Sequence, residues 1–329
     1  MKKLLFVFTG GTIGSTISGD YISTDPNKPY LLIKGYEKRY GDLGEYDVLS
    51  PYTVLSENLN GGHLSKLLDA VSENVDKYRG IIVTHGTDTL AYSSAALSYA
   101  LGNCKIPVCL VSANYPLEDS RSNGFCNLKG GIEFIEKIGK GGVWVSYTND
   151  DGVTKIHKGS RICPHGCYSH EVFSVKNSYF GSFDANFNFK FNPQYSEKND
   201  EISPIKPKLL HECERVMRVE PYVSMTYPKI PSGVKYILMG SYHSGTLDTS
   251  SRSAKKFYEN AKALGVKVFL VGAERGIQYE STSEYSKLGI IPLPPTSPVS
   301  AYVKLWFLSS EEGRFVEKEA LLSLGGDVV

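Results

Sequence analysis

The chain has 329 residues, 41% of them hydrophobic and 22% charged. That balance excludes intrinsic disorder and leaves room for two domains, or for one large α/β domain with an appendage. Lys and Arg number 36 against 35 Asp and Glu, a net charge of +1, so the charge footprint of a nucleic-acid binder is missing and no nucleic-acid partner is expected. No apolar stretch approaches the length needed to cross a bilayer, so no membrane partner is expected. The first apolar run, residues 4–8, is too short for a signal peptide and ends in Thr9-Gly10-Gly11-Thr12 with no small-residue cleavage site. With 6 scattered cysteines, a cytoplasmic protein with reduced thiols is the expectation.

In chain order, residues 4–8 read as a strand buried on both faces. Residues 15–29, polar and Gly-containing, read as a mobile loop or hairpin. A second strand is expected over 48–55 and an amphipathic helix over 63–77, where Leu64, Leu67, Leu68, Val71 and Val75 keep helical spacing. Then follow a strand at 81–83, a helix at 88–101, a strand at 108–111, a helix at 125–138 and a strand at 143–147. This alternation predicts a parallel sheet with right-handed crossovers. Residues 186–191 alternate with period two, as a half-exposed antiparallel strand does. Pro193, Pro204 and Pro207 mark a polar linker. Beyond it come a strand at 235–239, a helix at 250–264, a strand at 266–271 and an apolar helix at 297–309. The expected architecture is α/β: a larger N-terminal domain (1–192) with a mostly parallel sheet flanked by helices, a linker (193–212), and a smaller C-terminal α/β domain (213–329).

Two loops carry the chemistry. Thr9-Gly10-Gly11-Thr12-Ile13-Gly14 follows the first strand, where glycines let the backbone approach a ligand closely. It lacks the spacing of dinucleotide and phosphate loops, and a plain structural turn is the competing explanation. Thr84-His85-Gly86-Thr87-Asp88-Thr89 follows the third strand and opens a helix. An ordinary helix cap would account for Asp88 alone. Two loops at one edge of one sheet bring together hydroxyls, a carboxylate and backbone N–H groups, the parts of a covalent acyl-transfer site.

Thr-Gly-Gly-Thr-Ile at 9–13 and His-Gly-Thr-Asp-Thr at 85–89 resemble the two signature motifs of the L-asparaginase family. Ser56-Glu57 resembles the family's substrate-clamping pair, and Ser122-Asn123-Gly124 with Asn127-Leu128 is similar to its Asp-Gly-x-x-Asn-Leu segment. The resemblance implies an asparaginase-like fold and hydrolysis of a side-chain amide, that of L-asparagine, L-glutamine or a related small amide, through a threonyl ester. It implies Thr12 as nucleophile with Tyr21 as its partner, and Thr87 and Asp88 holding or activating water. Gly11 and Gly86 would line the substrate site, and Ser56 and Glu57 would grip the substrate's α-carboxylate and α-amino groups. An acidic residue at 57 suits an ammonium group; the competing explanation of Ser56 and Glu57 is a cap pair for the helix at 63. No metal or organic cofactor is implied, and a homodimer or homotetramer is the family expectation. His243 and Ser244, in Tyr242-His243-Ser244-Gly245-Thr246-Leu247-Asp248, would reach the substrate held by a neighbouring copy of the chain; a turn with a helix cap is the plainer explanation.

One position departs from the pattern. The family's lysine lies in a Gly-x-Arg-x-x-Lys segment, and the matching Gly159-Ser160-Arg161-Ile162-Cys163-Pro164 ends in proline. Lys155, Lys158, His165 and His170 are the nearby candidates for its proton-handling role. Cys163, His165, Cys167 and His170 also form a crowded set of zinc-type ligands, though not at the spacing of a standard finger. The proline leaves open a non-catalytic or diverged amide-binding protein on the same scaffold. A further alternative is an amidotransferase-type component that passes ammonia to a partner.

Overall fold

The structure, a computed structural model, describes residues 2–11, 15–18, 21–24, 28–198, 200, 202–207, 210–273 and 279–329, with backbone alone at 15–18, 21–24 and 28–29. The apolar run Leu4–Phe8 forms β1, and all five residues are buried because helices cover both faces of this strand. Ser15–Ser18 (β2) and Tyr21–Thr24 (β3) pair as an antiparallel hairpin. Lys28–Tyr40 forms α1, a helix the sequence pattern did not announce. Tyr46–Leu49 is β4, shorter than the strand expected at 48–55. Gly61–Ser72 forms α2, which stops well before residue 77.

Gly80–Thr84 (β5), Pro107–Val111 (β6) and Gly142–Thr148 (β7) are fully buried strands. Between them run Leu90–Leu101 (α3) and Gly124–Glu133 (α4), the latter extended by a π turn over Phe134–Ile138. Thr154–Lys158 (β8), Gly181–Phe183 (β9) and Phe189–Phe191 (β10) then continue the sheet in antiparallel fashion. The expected alternating strand is therefore real but confined to its second half. The sheet order is β10-β9-β8-β7-β6-β5-β1-β4, and β4, β1, β5, β6 and β7 are parallel neighbours. This is a doubly wound arrangement. Leu32, Ile33 and Tyr36 of α1 pack with Leu128 and Ile132 of α4 on the face that carries Phe6 and Phe8. Helices α2 and α3 cover the face that carries Leu5 and Val7. The chain leaves β1 for β4 on one side and returns to β5 on the other, so a crevice opens at the carboxyl ends of β1 and β5. That is where open sheets of this kind bind ligands.

A second sheet holds four parallel strands in the order Val216–Val219 (β11), Tyr236–Met239 (β12), Lys267–Leu270 (β13) and Ile290–Pro292 (β14). Arg252–Ala263 (α5) packs Phe257, Tyr258 and Ala261 against it. Short helices Glu280–Ser283 (α6) and Tyr285–Leu288 (α7) precede β14, and Val316–Glu319 (α9) follows the last long helix. That helix, Pro298–Ser310 (α8), is buried nearly all round and shares one apolar cluster with α3 of the first sheet. Between the sheets, Ile205 and Leu210 are buried. The Ile205 N–H donates to the Tyr99 carbonyl at 2.9 Å, and Leu210 N–H donates to Ser65 Oγ at 3.0 Å. The Pro-rich stretch is thus strapped to α2 and α3. Among the described residues, no helix is long and apolar enough to cross a membrane.

Candidate active site

The crevice is closed by backbone-to-backbone approach. Gly11 N–H donates to Val54 O at 3.2 Å, and Val54 N–H donates to Thr9 O at 3.1 Å, so the segment after β4 is laced to the loop after β1. Thr9 Oγ1 donates to Thr84 O at 2.7 Å, which ties that loop to the end of β5. Gly11 has φ +77°, and a Cβ there would stand 2.3 Å from Gly86 N. A Cβ on Gly86 would stand 2.4 Å from Ser56 Oγ. Both positions need glycine because three loops meet without room for a side chain.

His85 is buried and fixes the turn at Gly86. Its Nδ1 lies 2.8 Å from Gly86 O and its Nε2 lies 2.7 Å from Ser93 Oγ. A neutral ring satisfies both contacts, donating from Nδ1 to the carbonyl and accepting from the Ser93 hydroxyl. Burial, only partly offset by the Gly86 carbonyl, pulls this imidazole below its ordinary value. His85 stands inside the second motif, yet the motif alone assigns it no individual role.

Asp88 is exposed and lies just before α3. It does not cap the helix. The helix N-cap is Thr89, which makes no side-chain cap bond and instead donates from Oγ1 to Ser56 O at 3.0 Å. Ser56 Oγ in turn donates to Asp88 Oδ2 at 3.3 Å. The cap of α2 is Asn60, whose side chain accepts from His63 N. The cap explanations for Asp88 and for Ser56-Glu57 therefore both fail. Ser56 is buried, and Glu57 is exposed on a 3-10 turn, Ser56–Asn58. Thr87 is half-buried beside Asp88.

The structure thus brings together Gly11, Gly86, Ser56 and Asp88, with Thr87 and Glu57 adjoining in sequence. Thr12 lies outside the described residues, and so does the side chain of Tyr21, whose backbone is in β3. His243 and Ser244 sit in the turn after β12, closed by Gly245 N–H on Tyr242 O at 2.8 Å. Together with Gly272, Tyr279 and Thr296 they line a cavity of about 500 Å³ that includes none of the Ser56–Asp88 group. Asp248 Oδ1 accepts from the N–H groups of Ser250 and Ser251, and Ser251 caps α5, so that end of the loop is structural.

The third motif is scaffold for the rim. Asn123 N–H donates to Asn114 Oδ1 and Asn114 N–H to Asn123 Oδ1, both at 3.0 Å. Asn127 Nδ2 donates to Ser112 O at 2.8 Å, and Thr148 N–H donates to Asn127 Oδ1 at 2.7 Å. These bonds tie the ends of β6 and β7 to α4.

The segment after β8 runs along α3. Ser94 Oγ donates to Gly159 O at 2.8 Å, and Ser297 and Ser300 of the α8 region donate to the carbonyls of Ile162 and Ser160. Arg161 is fully buried, its Nε donating to Gly326 O at 2.6 Å. Both candidate lysines are engaged by carboxylates: Lys155 by Asp151 at 2.9 Å and Lys158 by Glu197 at 2.9 Å. His170 Nε2 lies 3.1 Å from Tyr115 Oη. Among the described residues, no three His, Cys, Asp or Glu side chains are grouped so as to hold a metal ion, so the Cys163–His170 set does not converge.

At the switch point of this doubly wound sheet, interlocked glycine loops, a hydroxyl and a carboxylate meet. The family model described as "Asparaginase, N-terminal" matches residues 3–195, and the chain belongs to the asparaginase family. An L-asparaginase of Thermococcus kodakarensis is 33% identical over 162 residues, covering 49% of this chain and 47% of that protein. A component of the glutamyl-tRNA(Gln) amidotransferase of Methanosarcina mazei is 25% identical over 349 residues, covering all of this chain and 79% of that protein. The crystal structure of L-asparaginase I from Vibrio cholerae shares the fold, with a TM-score of 0.81 at 20% identity over 100% of this chain and 99% of that one.

Proposed function

We propose that this chain is an asparaginase-like amidohydrolase. It releases ammonia from the side-chain amide of L-asparagine, or from L-glutamine or a related small amide, and leaves the acid. The observation that carries this reading is the junction of the two motif loops: Gly11 packed on Gly86, with Ser56 bonded to Asp88. Thr12 attacks the amide carbon, and Tyr21 serves as its partner. Backbone N–H groups of the glycine loops receive the oxyanion. The Thr12 hydroxyl proton passes to the amide nitrogen as the C–N bond breaks, ammonia leaves, and an acyl-threonine remains. Water held by Thr87 and Asp88 then attacks the ester and returns the proton to the threonine oxygen. Ser56 and Glu57 hold the substrate's α-carboxylate and α-amino groups. His243 and Ser244 serve the site of a second copy in a homodimer or homotetramer.

The test is ammonia release from asparagine, glutamine and a panel of small amides, with a Thr12→Ala control. No release from any amide, with calorimetric binding retained, would mark a binding protein instead. The assembly is tested by mixing inactive Thr12→Ala protein with inactive His243→Ala/Ser244→Ala protein. Activity reappears on mixing only if one site draws Thr12 from one copy and His243 and Ser244 from another.

A second reading is favoured by the whole-chain match to the amidotransferase component of Methanosarcina mazei. On that reading the same chemistry serves to deliver ammonia to a partner protein. Co-purification with a synthetase-like partner, and amide hydrolysis that rises when it is present, separates this from a free-standing hydrolase.

A further inference from the structure

We propose that His165 is the proton acceptor behind Thr87 and Asp88, taking the role that a family lysine would fill and that Pro164 leaves empty. This rests on the hydrolase reading above and deepens it.

The placement comes from the path of the chain. After β8 the backbone is pinned on α3 by Ser94, one helical turn from the end that Asp88 precedes. It then forms a closed loop. Cys163 N–H donates to Phe173 O at 2.9 Å, and Ile162 pairs with Ser174. The loop is held down by Asn149, which donates to Val172 O at 3.0 Å and accepts from Val172 N at 3.0 Å. Tyr147 Oη adds a bond to His170 O at 2.6 Å. Inside this frame the His165 ring stands edge-on to Tyr147, with centroids 6.1 Å apart. Its Nε2 is buried and has no hydrogen-bond partner among the described residues. A buried ring nitrogen without a partner is costly unless something uses it.

The other three candidates are occupied. Lys155 and Lys158 are held by Asp151 and Glu197, and His170 is held by Tyr115. The titratable groups that act on His165 are Asp88 from the start of α3 and His170 from its own loop, with Tyr147 packed against it from β7. Burial lowers the His165 pKa, while the Asp88 carboxylate and a hydrogen bond to the Glu171 backbone raise it. The ring is therefore neutral at pH 7 and can accept a proton.

The balance is simple. Water attacks the acyl-threonine through the group at Thr87 and Asp88, and its O–H proton passes to His165. The ester C–O bond breaks, the acid leaves, and His165 returns the proton to the threonine oxygen. No oxidant or cofactor enters. His165 acts through Asp88, so it is a positioning residue that also stores a proton.

The experiment is a pH–rate profile for wild type, His165→Gln, His165→Asn and Lys155→Ala, joined to an NMR titration of the imidazole resonances in wild type and Asp88→Asn. Wild type is expected to lose turnover as the pH falls through a pKa below about 6.5. Both His165 variants should lose that limb and drop kcat by roughly a hundredfold, with KM little changed. Lys155→Ala should keep the limb. Asp88→Asn should lower the His165 pKa, a readout that needs no activity. An active wild type whose profile and kcat survive His165→Gln, or a His165 pKa indifferent to Asp88→Asn, overturns the role of His165. A wild type that releases no ammonia from any amide, with the NMR coupling intact, overturns the hydrolase reading and the relay with it.

Discussion

Replacing Gly11 by alanine tests whether the loop junction is the heart of the site. Two costs can be separated. Gly11 has φ +77°, and an L side chain in the left-handed region costs about 1–2 kcal/mol. The new Cβ would also stand 2.3 Å from Gly86 N, against 3.4 Å for ordinary contact, so the β5 loop must retreat by about 1 Å. Overpacking of this kind costs typically ~1–3 kcal/mol, for a total on the order of 2–5 kcal/mol. Gly44 provides the matched control, with φ +71° and nothing within 4 Å of its would-be Cβ. Gly44→Ala should show only the conformational cost, so the difference between the two variants isolates the contact. Because a displacement of about 1 Å in positioning groups costs on the order of a hundredfold in rate, Gly11→Ala should also lose about that much amidase activity. Thermal and urea unfolding of the two variants, alongside ammonia release, gives the answer. A Gly11→Ala protein no less stable than Gly44→Ala, with turnover kept, refutes the reasoning.

Thr12→Ala should fold normally and lose at least about a hundredfold in turnover, measured as ammonia release; near wild-type rates would move the nucleophile to Thr87. Lys304→Ala leaves Asp327 as a buried carboxylate that has lost its ammonium, since their side chains are only 4% and 1% exposed; about 3–5 kcal/mol of stability should be lost in denaturant titrations. Burial pushes the Glu197 carboxyl up, but Lys158, Tyr195 and Lys140 outweigh it and hold the carboxyl at about 2, below its ordinary 4.5. A depressed folded-state value means that Glu197 stabilises fully above pH 4.5 and loses its contribution as the pH falls toward 2. Denaturation midpoints measured across that window should fall less steeply in Glu197→Gln than in wild type.

The parts of the fold legible in the sequence are those whose signal is local. Strands β1, β5 and β6 are short apolar runs because helices cover both faces. Helix α2 shows its stripe because one face is exposed. Helix α1 hid because Lys28–Tyr40 mixes charges and aromatics with Gly35 and carries only a weak apolar stripe. Strand β8 hid for a different reason. Thr154–Lys158 reads as a polar segment, yet Lys158 and His157 are buried. Lys158 is tolerated there because Glu197, 39 residues away, meets it and its ammonium lies over the Trp144 ring. The site divides the same way. Gly11, Gly86 and Asp88 stand in motifs, whereas the Ser56–Asp88 bond joins groups 32 residues apart to which the resemblance gives separate roles. That His165, rather than Lys155 or Lys158, is left with an unpartnered nitrogen depends on which carboxylates the fold supplies to the lysines. No short window contains that information.

The seam between α3 and α8 sets a timetable for synthesis. Tyr99 of α3 donates to Ser300 O of α8 across 201 residues of chain. At roughly 5–20 residues per second, translation takes on the order of 10–40 s to supply the later helix. During that wait the first sheet can assemble its strands, but the outer side of α3 stays uncovered. Apolar surface exposed for that long is a liability for association with other chains until α8 arrives to cover it.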